Sequence, residues 1–299
     1  LMVPLPPGSW PVWLSGAGTT ASPQKPPTPT TEMGNPIVGG VESQPGAWPW
    51  QVALVPSDAV SYYEELACGG SLIDEEWVLT AAHCLLGVTA ADVSIVAGVH
   101  NLATPEPGHQ RIGLAEIIPH EAFDPGTADN DIALLRLSSP VTLGATSGLS
   151  VALVSLVESN VGSLAGITAT VTGWGSLSGT VDNYPETLRE LQVPILTNTE
   201  CDSMYDAAVG SGDHLTANML CAGYAAGGKD ACYGDSGGPL VILDGAEWKQ
   251  AGIVSWGSGC AEPNRPAVYA RVSQYIPWIQ DKIGAGDPNS KLYLPLAIQ

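Results

Sequence analysis

From Ile37 onward the chain breaks into short apolar and β-branched runs that turn-forming residues keep interrupting. The runs are Gln51–Val55, Gly70–Ile73, Val78–Ala82, Val93–Ala97, Ile132–Leu137, Thr168–Thr172, Gln192–Leu196, Pro239–Leu243, Gly252–Trp256 and Ala267–Val272. Each has the length of a strand, and Gly, Pro and Asp stand between them. No helical pattern separates them, which rules out parallel βαβ units and leaves barrels or a sandwich. With 35 glycines and 25 prolines in 299 residues, turns are easy to build and long helices are not. One helix is expected, at Ser273–Ile283. There Tyr275, Ile276, Trp278, Ile279 and Ile283 share a face, Ser273 caps, Gly284 stops, and Pro277 falls near the tolerated first turn.

The ends have a different texture. Residues 1–36 carry Pro7, Pro11, Pro23, Pro26, Pro27, Pro29 and Pro36 among Ser and Thr, and read as an extended leader. Met2–Leu14 is apolar but broken by prolines and has no basic start, so it is a poor signal peptide. Residues 284–299 form a tail that opens with Gly-Ala-Gly-Asp-Pro. Its apolar Leu292–Ile298 is expected to pack on the body or stay disordered rather than act as a sorting signal. No apolar stretch is long enough for a membrane-spanning helix. The net charge of −20 repels nucleic acid and anionic membranes. The same charge keeps a chain soluble and attracts basic peptides.

Chemistry enters with Gly234-Asp235-Ser236-Gly237-Gly238-Pro239. A serine hydroxyl is a poor nucleophile until a base takes its proton. Flanking glycines allow a tight turn, which aims the N–H groups of Gly234 and Ser236 at the point where an oxyanion would form. A lone Gly-Asp-Ser turn is ordinary, but this one has company. Thr80-Ala81-Ala82-His83-Cys84 ends a strand with a histidine, and Asp131 precedes the apolar run Ile132-Ala133-Leu134-Leu135. A carboxylate entering a core needs a partner, and an imidazole N–H is a good one. The chain order His, Asp, Ser is one of few solutions for such a triad. Six cysteines, spaced C-x15-C, C-x19-C and C-x27-C, contain no C-x2-C pair and so no zinc signature.

These segments resemble the chymotrypsin-like serine proteases, the trypsins most of all. Ile37-Val38-Gly39-Gly40 looks like a mature N-terminus of that family. Trp48-Pro49-Trp50-Gln51-Val52, Cys68-Gly69-Gly70-Ser71-Leu72-Ile73, Gly173-Trp174-Gly175, Cys221-Ala222-Gly223 and Ser255-Trp256-Gly257 follow in family order, with the His83 and Asp131 segments among them. The resemblance runs from Ile37 to Ile283. It implies an all-β fold: two six-stranded antiparallel β-barrels with a C-terminal helix that packs back on the first. Residues 37–150 would form the first barrel and carry His83 and Asp131. Residues 151–283 would form the second barrel and the helix, and carry Ser236 and Asp230.

The resemblance also implies roles. His83 is the general base and then the general acid, Asp131 orients it, and Ser236 forms an acyl-enzyme. Disulfides are implied at Cys68–Cys84, Cys201–Cys221 and Cys232–Cys260, which fits an oxidising, extracellular setting. Asp230 is the implied floor of the pocket for the residue before the cut bond. A buried carboxylate there favours Arg or Lys. Gly257 and Gly259 leave the pocket walls open, and Ser255 bonds the substrate backbone. Two positions depart from the trypsins. Ala231 replaces a pocket serine, which ranks Arg above Lys because only Arg makes a two-pronged contact with Asp230. Ala267 replaces a wall glycine and narrows the slot.

Activation is implied by a cut before Ile37, whose freed amine would pair with Asp235. The preceding residue is Pro36, and the leader's one basic residue, Lys25, is followed by Pro26. Activation by a protease of other specificity, or by stepwise trimming, is therefore expected. The loop Val99–Gln110 aligns with a calcium loop but has Val99 and His109 where carboxylates would stand, so no metal is expected. No cofactor is expected either, and His100, His120 and His214 are expected at the surface. Expected partners are basic protein or peptide substrates, the activating protease and protein inhibitors, on a monomer. Loop Ser57–Leu66, with Tyr62, Tyr63, Glu64 and Glu65, is expected to flank the leaving side of the cleft. Two rival functions are a non-catalytic binding protein on the same fold, disfavoured by the complete triad, and an esterase, disfavoured by Asp230.

Overall fold

The computed structural model describes residues 36–145, 148–178, 183–212 and 214–284; the leader up to residue 35 and the tail with Leu292–Ile298 lie outside the described residues. In chain order the strands are β1 Val41–Glu42, β2 Gln51–Pro56, β3 Cys68–Asp74, β4 Trp77–Thr80, β5 Val93–Ala97, β6 Gln110–Pro119, β7 Ala133–Leu137, β8 Ser155–Leu156, β9 Thr168–Gly173, β10 Arg189–Leu196, β11 Met219–Ala222, β12 Pro239–Asp244, β13 Glu247–Trp256 and β14 Ala267–Arg271. The helices are the single turn α1 Pro36–Gly39, then α2 Asn198–Val209 and α3 Val272–Gly284.

Strands β2 to β7 close a six-stranded antiparallel barrel in the order β2-β3-β4-β7-β6-β5. A second closed barrel runs β10-β11-β14-β13-β12-β9 and shuts through the β9–β10 pairing. β1 adds to the edge of β10, and β8 adds in parallel to β13. The fold is therefore two six-stranded antiparallel barrels and a C-terminal helix. Closure leaves few free strand edges and gives each barrel its own interior. Val52, Leu54, Leu72, Leu79, Ile95 and Leu134 are buried in the first, and Val171, Val193, Leu220, Ile253 and Tyr269 in the second. At Gly70 a Cβ would meet Val78 Cγ1 at 2.9 Å and Val52 Cγ2 at 3.1 Å, so the first interior is too tight there for any side chain.

Buried polar bonds join the barrels. Ser71 Oγ donates to Gln250 Oε1 at 2.6 Å, Thr172 Oγ1 donates to Gln51 Oε1 at 2.6 Å, and the Gly69 N–H donates to the Ser236 carbonyl at 2.7 Å. α3 covers β8 and β13 with one side and reaches the first barrel with the other. Trp278 Nε1 donates to Glu121 Oε2 at 2.9 Å, and His120 packs against the rings of Tyr275 and Trp278. The helix begins at Val272, so Pro277 sits in its second turn rather than its first.

Two elements escape the short-run pattern. β6 is ten residues long, but a bulge between Leu114 and Glu116 resets its inward–outward alternation. α2 buries only Cys201 and Tyr205, too few for a visible apolar face. Its start is held by a reciprocal cap: the Thr197 hydroxyl accepts from the Glu200 N–H at 3.1 Å, and Glu200 Oε2 accepts from the Thr197 N–H at 2.9 Å. Thr197→Ala is expected to cost about 1 kcal/mol and lower the melting temperature by a few degrees in a thermal scan. An unchanged midpoint would show that the cap contributes nothing.

Candidate active site

β4 ends at Thr80, and a 3-10 turn over Ala82–Leu85 carries His83. The neighbouring Cys84 is bridged to Cys68 at the head of β3, with Cα atoms 6.3 Å apart. Asp131 lies just before β7, in a stretch held left-handed at both Ala128 and Asn130, each with φ 57°. Such conformations are costly for non-glycine residues and persist only where neighbours impose them. A local bond from the Ala128 N–H to the Asp124 carbonyl at 2.7 Å and contacts from the second half of the chain hold the stretch. Asp129 accepts from Thr216 Oγ1 at 2.6 Å and from Asn218 Nδ2 at 3.1 Å, and Asn130 Oδ1 accepts from Tyr275 of α3 at 3.4 Å.

Asp131 is 1% exposed and fully bonded. Its Oδ1 accepts from the His83 backbone N–H at 2.8 Å. Its Oδ2 meets His83 Nδ1 at 2.7 Å and accepts from Ser255 Oγ at 2.5 Å. Burial works against charge on both groups, yet their mutual attraction and hydrogen bonds prevail. The His83 pKa is raised and the Asp131 pKa is lowered. The pair is built to keep a carboxylate beside a ring that gains a proton easily. The Ser255 hydroxyl bond has no signature in the sequence; that residue was read only as a substrate-backbone contact.

Ser236 comes from the second barrel, in a loop tied at both ends. Cys232 is bridged to Cys260, the Asp235 N–H donates to the Cys232 carbonyl at 3.0 Å, and the Gly238 N–H donates to the Asp235 carbonyl at 2.9 Å. Gly234 and Gly237 adopt φ of 94° and 76°. At Gly237 a Cβ would collide with Thr80 Oγ1 and approach the Gly69 carbonyl to 2.5 Å, so the loop docks directly on the strand that leads to His83. Among the described residues, neither the Gly234 nor the Ser236 N–H donates to a backbone carbonyl. Cys201 and Cys221 form the third disulfide, between α2 and β11.

Two buried carboxylates flank this loop. Asp235 accepts from the N–H groups of Gly175 at 2.8 Å and Cys232 at 2.9 Å. Burial still pushes its pKa up to about 6. A Cβ on Gly173 or Gly175 would collide with its carboxylate. Asp230 is 2% exposed. Its Oδ2 accepts from the Ala261 N–H at 3.0 Å, while Oδ1 is buried and makes no well-formed hydrogen bond among the described residues. Burial pushes its pKa up to about 7, against the N–H groups of Ala261, Ala231 and Ala267, which lower it. The Asp230 N–H donates to the Val38 carbonyl at 3.0 Å, so the segment just after Ile37 runs against this carboxylate's backbone.

Around Asp230, Ala231 and Ala267 are buried, and Gly259 is left-handed with φ 83°. Register shifts in the β13–β14 ladder between Val254 and Trp256, and Ser255 lies in that irregular step. Two tyrosines near Asp230 were not singled out in the sequence. The Tyr205 hydroxyl donates to the Pro266 carbonyl at 2.8 Å, and Tyr269 is fully buried; both feel the Asp230 charge.

One expectation about histidines needs correction. His100 is buried, not at the surface: its carbonyl accepts from Trp174 Nε1 at 3.0 Å and from the Leu188 N–H at 2.8 Å. In the same loop, Glu106 turns its carboxylate inward onto the backbone N–H groups of His100 and Asn101. The one metal-like cluster among the described residues is Cys68, His83 and Cys84, and its two sulfurs belong to a disulfide rather than to thiolates.

In a frame of two closed six-stranded barrels, the Ser236 loop of the second docks on the strand of the first that leads to His83. A family model described as Trypsin matches residues 37–279. A trypsin of Sus scrofa is 40% identical over 255 residues, covering 85% of this chain and 99% of the relative. A cationic trypsin-3 of Rattus norvegicus is 39% identical over 86% of this chain and 93% of its own length. A trypsin of Xenopus laevis is 41% identical over 83% of this chain and 91% of its own length. The chain belongs to the trypsin family and is a serine endopeptidase.

Proposed function

We propose that the enzyme hydrolyses peptide bonds after arginine, and more weakly after lysine, through Ser236, His83 and Asp131. His83 takes the Ser236 proton, and the Ser236 oxygen attacks the scissile carbonyl. The N–H groups of Gly234 and Ser236 hold the oxyanion, His83 protonates the leaving amine, and water then frees the acyl group. Asp131 keeps the ring in the tautomer this requires. Gly257 and Gly259 give the side chain room, and the Ser255 backbone pairs with the substrate strand.

The observation that carries this reading is Asp230. A carboxylate so deeply buried, with one oxygen lacking a bond, is unfavourable alone and favourable once a guanidinium meets it. The net charge of −20 adds attraction for basic chains at long range. We assign residues 1–36 to a leader, 37–150 and 151–283 to the two lobes, and 284–299 to a tail. Another protease would cut before Ile37, and the new amine would neutralise Asp235, whose raised pKa marks a carboxylate without a cation beside it. The setting is extracellular, and inhibitors would be proteins that fill the same cleft.

The test compares peptide amides that differ only in Arg, Lys, Phe or Leu before the scissile bond, on protein starting at Ile37, with Ser236→Ala as control. Fast Arg cleavage, slower Lys cleavage and none in the control are expected. Equal or faster Lys cleavage overturns the ranking. No cleavage by folded enzyme with a free Ile37 turns the reading toward a binding protein. The full chain incubated alone should not generate the Ile37 terminus.

A further inference from the structure

We infer that the folded enzyme is a poor substrate for its own activity, because between residues 36 and 284 the chain withholds arginine and lysine from nearly every loop. This rests on the proposed cleavage after basic residues. The chain has ten basic residues, and two of them, Lys25 and Lys291, lie outside the described residues. Of the eight between residues 36 and 284, seven are shielded in one of two ways.

Six of the eight lie inside regular elements: Arg111 in β6, Arg136 in β7, Arg189 in β10, Lys249 in β13, Arg271 in β14 and Lys282 in α3. A protease binds its substrate as an extended chain, so a residue already paired in a barrel or wound in a helix must first be released by local opening. Two of these side chains also fasten loops. Arg111 donates to the carbonyls of Pro56, Ser57 and Ala59, and Arg271 to those of Ala217 and Met219. Putting either into another molecule's pocket breaks those bonds as well.

The seventh, Arg265, is followed by Pro266, whose nitrogen has no hydrogen and whose ring fixes φ. Lys25–Pro26 in the leader repeats that protection in the sequence. Loops are where proteolytic nicking concentrates, and those of the first barrel hold no basic residue. The high acidity is thus as much a scarcity of cations, 10 against 30 acidic residues, as a wealth of acids.

Lys229 is the exception. It is exposed in an irregular segment, its ammonium rests 5.6 Å from the centre of the Tyr224 ring, and no proline follows it. Cleavage after it requires Asp230 to leave its buried place and the Asp230 N–H to release Val38. The burial of Asp230 therefore shields this bond as well.

The experiment offers active enzyme three targets, followed by intact mass: the folded Ser236→Ala chain, the same chain reduced, alkylated and unfolded, and a folded double variant that also carries Asn160→Arg. Asn160 is exposed in the irregular segment between β8 and β9. The unfolded chain should be cut after its basic residues except those before proline. The folded chain should stay uncut between residues 37 and 284, and the Asn160→Arg chain should be cut after position 160 at least about tenfold faster than the parent is cut anywhere in that range. Rapid cutting of the folded chain within its strands or α3, or no gain on adding the loop arginine, overturns the inference while leaving the specificity intact. An unfolded chain that is not cut after basic residues overturns the specificity, and the inference with it.

Discussion

Asp131→Asn is expected to lower kcat by about ten-thousandfold, the loss typical of this triad chemistry when its orienting carboxylate is replaced by an amide, with KM little changed and the fold retained. Asp131 Oδ2 faces His83 Nδ1 at 2.7 Å and Ser255 Oγ at 2.5 Å, so it accepts from both. An asparagine that keeps the His83 N–H bond through its oxygen turns its NH2 toward Nδ1. The ring must then carry its proton on Nε2, the nitrogen that should receive the Ser236 proton. The pH profile separates this from simple misfolding. In the native enzyme the His83 pKa is raised by the Asp131 charge, so activity should rise with pH through a midpoint above the ordinary 6.5. Without that charge, burial alone remains and the midpoint should fall. The pair's effect on stability has its own window. Asp131, with a lowered pKa, stabilises above the ordinary carboxylate pKa and loses that contribution as pH falls. His83, with a raised pKa, stabilises below 6.5 and loses its contribution as pH climbs through the raised value. A kcat within tenfold of native, or an unmoved acid limb, would refute the orienting role.

The barrels were legible because their strands are short, bounded by turn residues and interrupted by few helices. All ten expected runs fall on observed strands, with ends that differ by a few residues. β11, with four residues, and the two-residue β1 and β8 are too short to show a pattern, and only pairing to neighbours defines them. The tight turn at Ser236 was legible because it depends on residue type at a fixed local spacing, and Gly234 and Gly237 are left-handed there. What depends on contacts far apart in sequence was not legible. The Ser255–Asp131 bond spans 124 residues, and the Thr216–Asp129 bond spans 87. His100 shows the converse failure. A lone histidine in a loop reads as exposed, but this loop is tied down by Trp174, 74 residues away, which donates to the His100 carbonyl. No local pattern signals such closure.

Asp230→Ser is expected to reduce kcat/KM on arginine substrates by about a thousandfold. That is the roughly 4 kcal/mol lost when one partner of a buried ion pair is removed, at about 1.4 kcal/mol per tenfold. Leucine and phenylalanine substrates should lose far less, so the ratio between substrates, not the absolute rate, carries the result. The same substitution should make the unliganded enzyme more stable at high pH. The Asp230 pKa is raised to about 7 from an ordinary 3.8, so between those values the unfolded chain has released a proton that the folded one retains. Stability from this group therefore falls as pH rises from about 4 to about 7 and stays low above, a loss of order 4 kcal/mol at about 1.4 kcal/mol for each pH unit. Asp235 slopes the same way, up to about 6, which makes the difference between native and variant the quantity to measure. In thermal scans the variant's advantage should be small at pH 4 and large at pH 8. A small guanidinium compound, by supplying the missing cation, should raise the native midpoint more at pH 8 than at pH 5 and leave the variant unmoved. If Asp230→Ser retained the arginine preference, the pocket floor would have to lie elsewhere; if it gained no stability at pH 8, the carboxylate would already have a partner in the free enzyme.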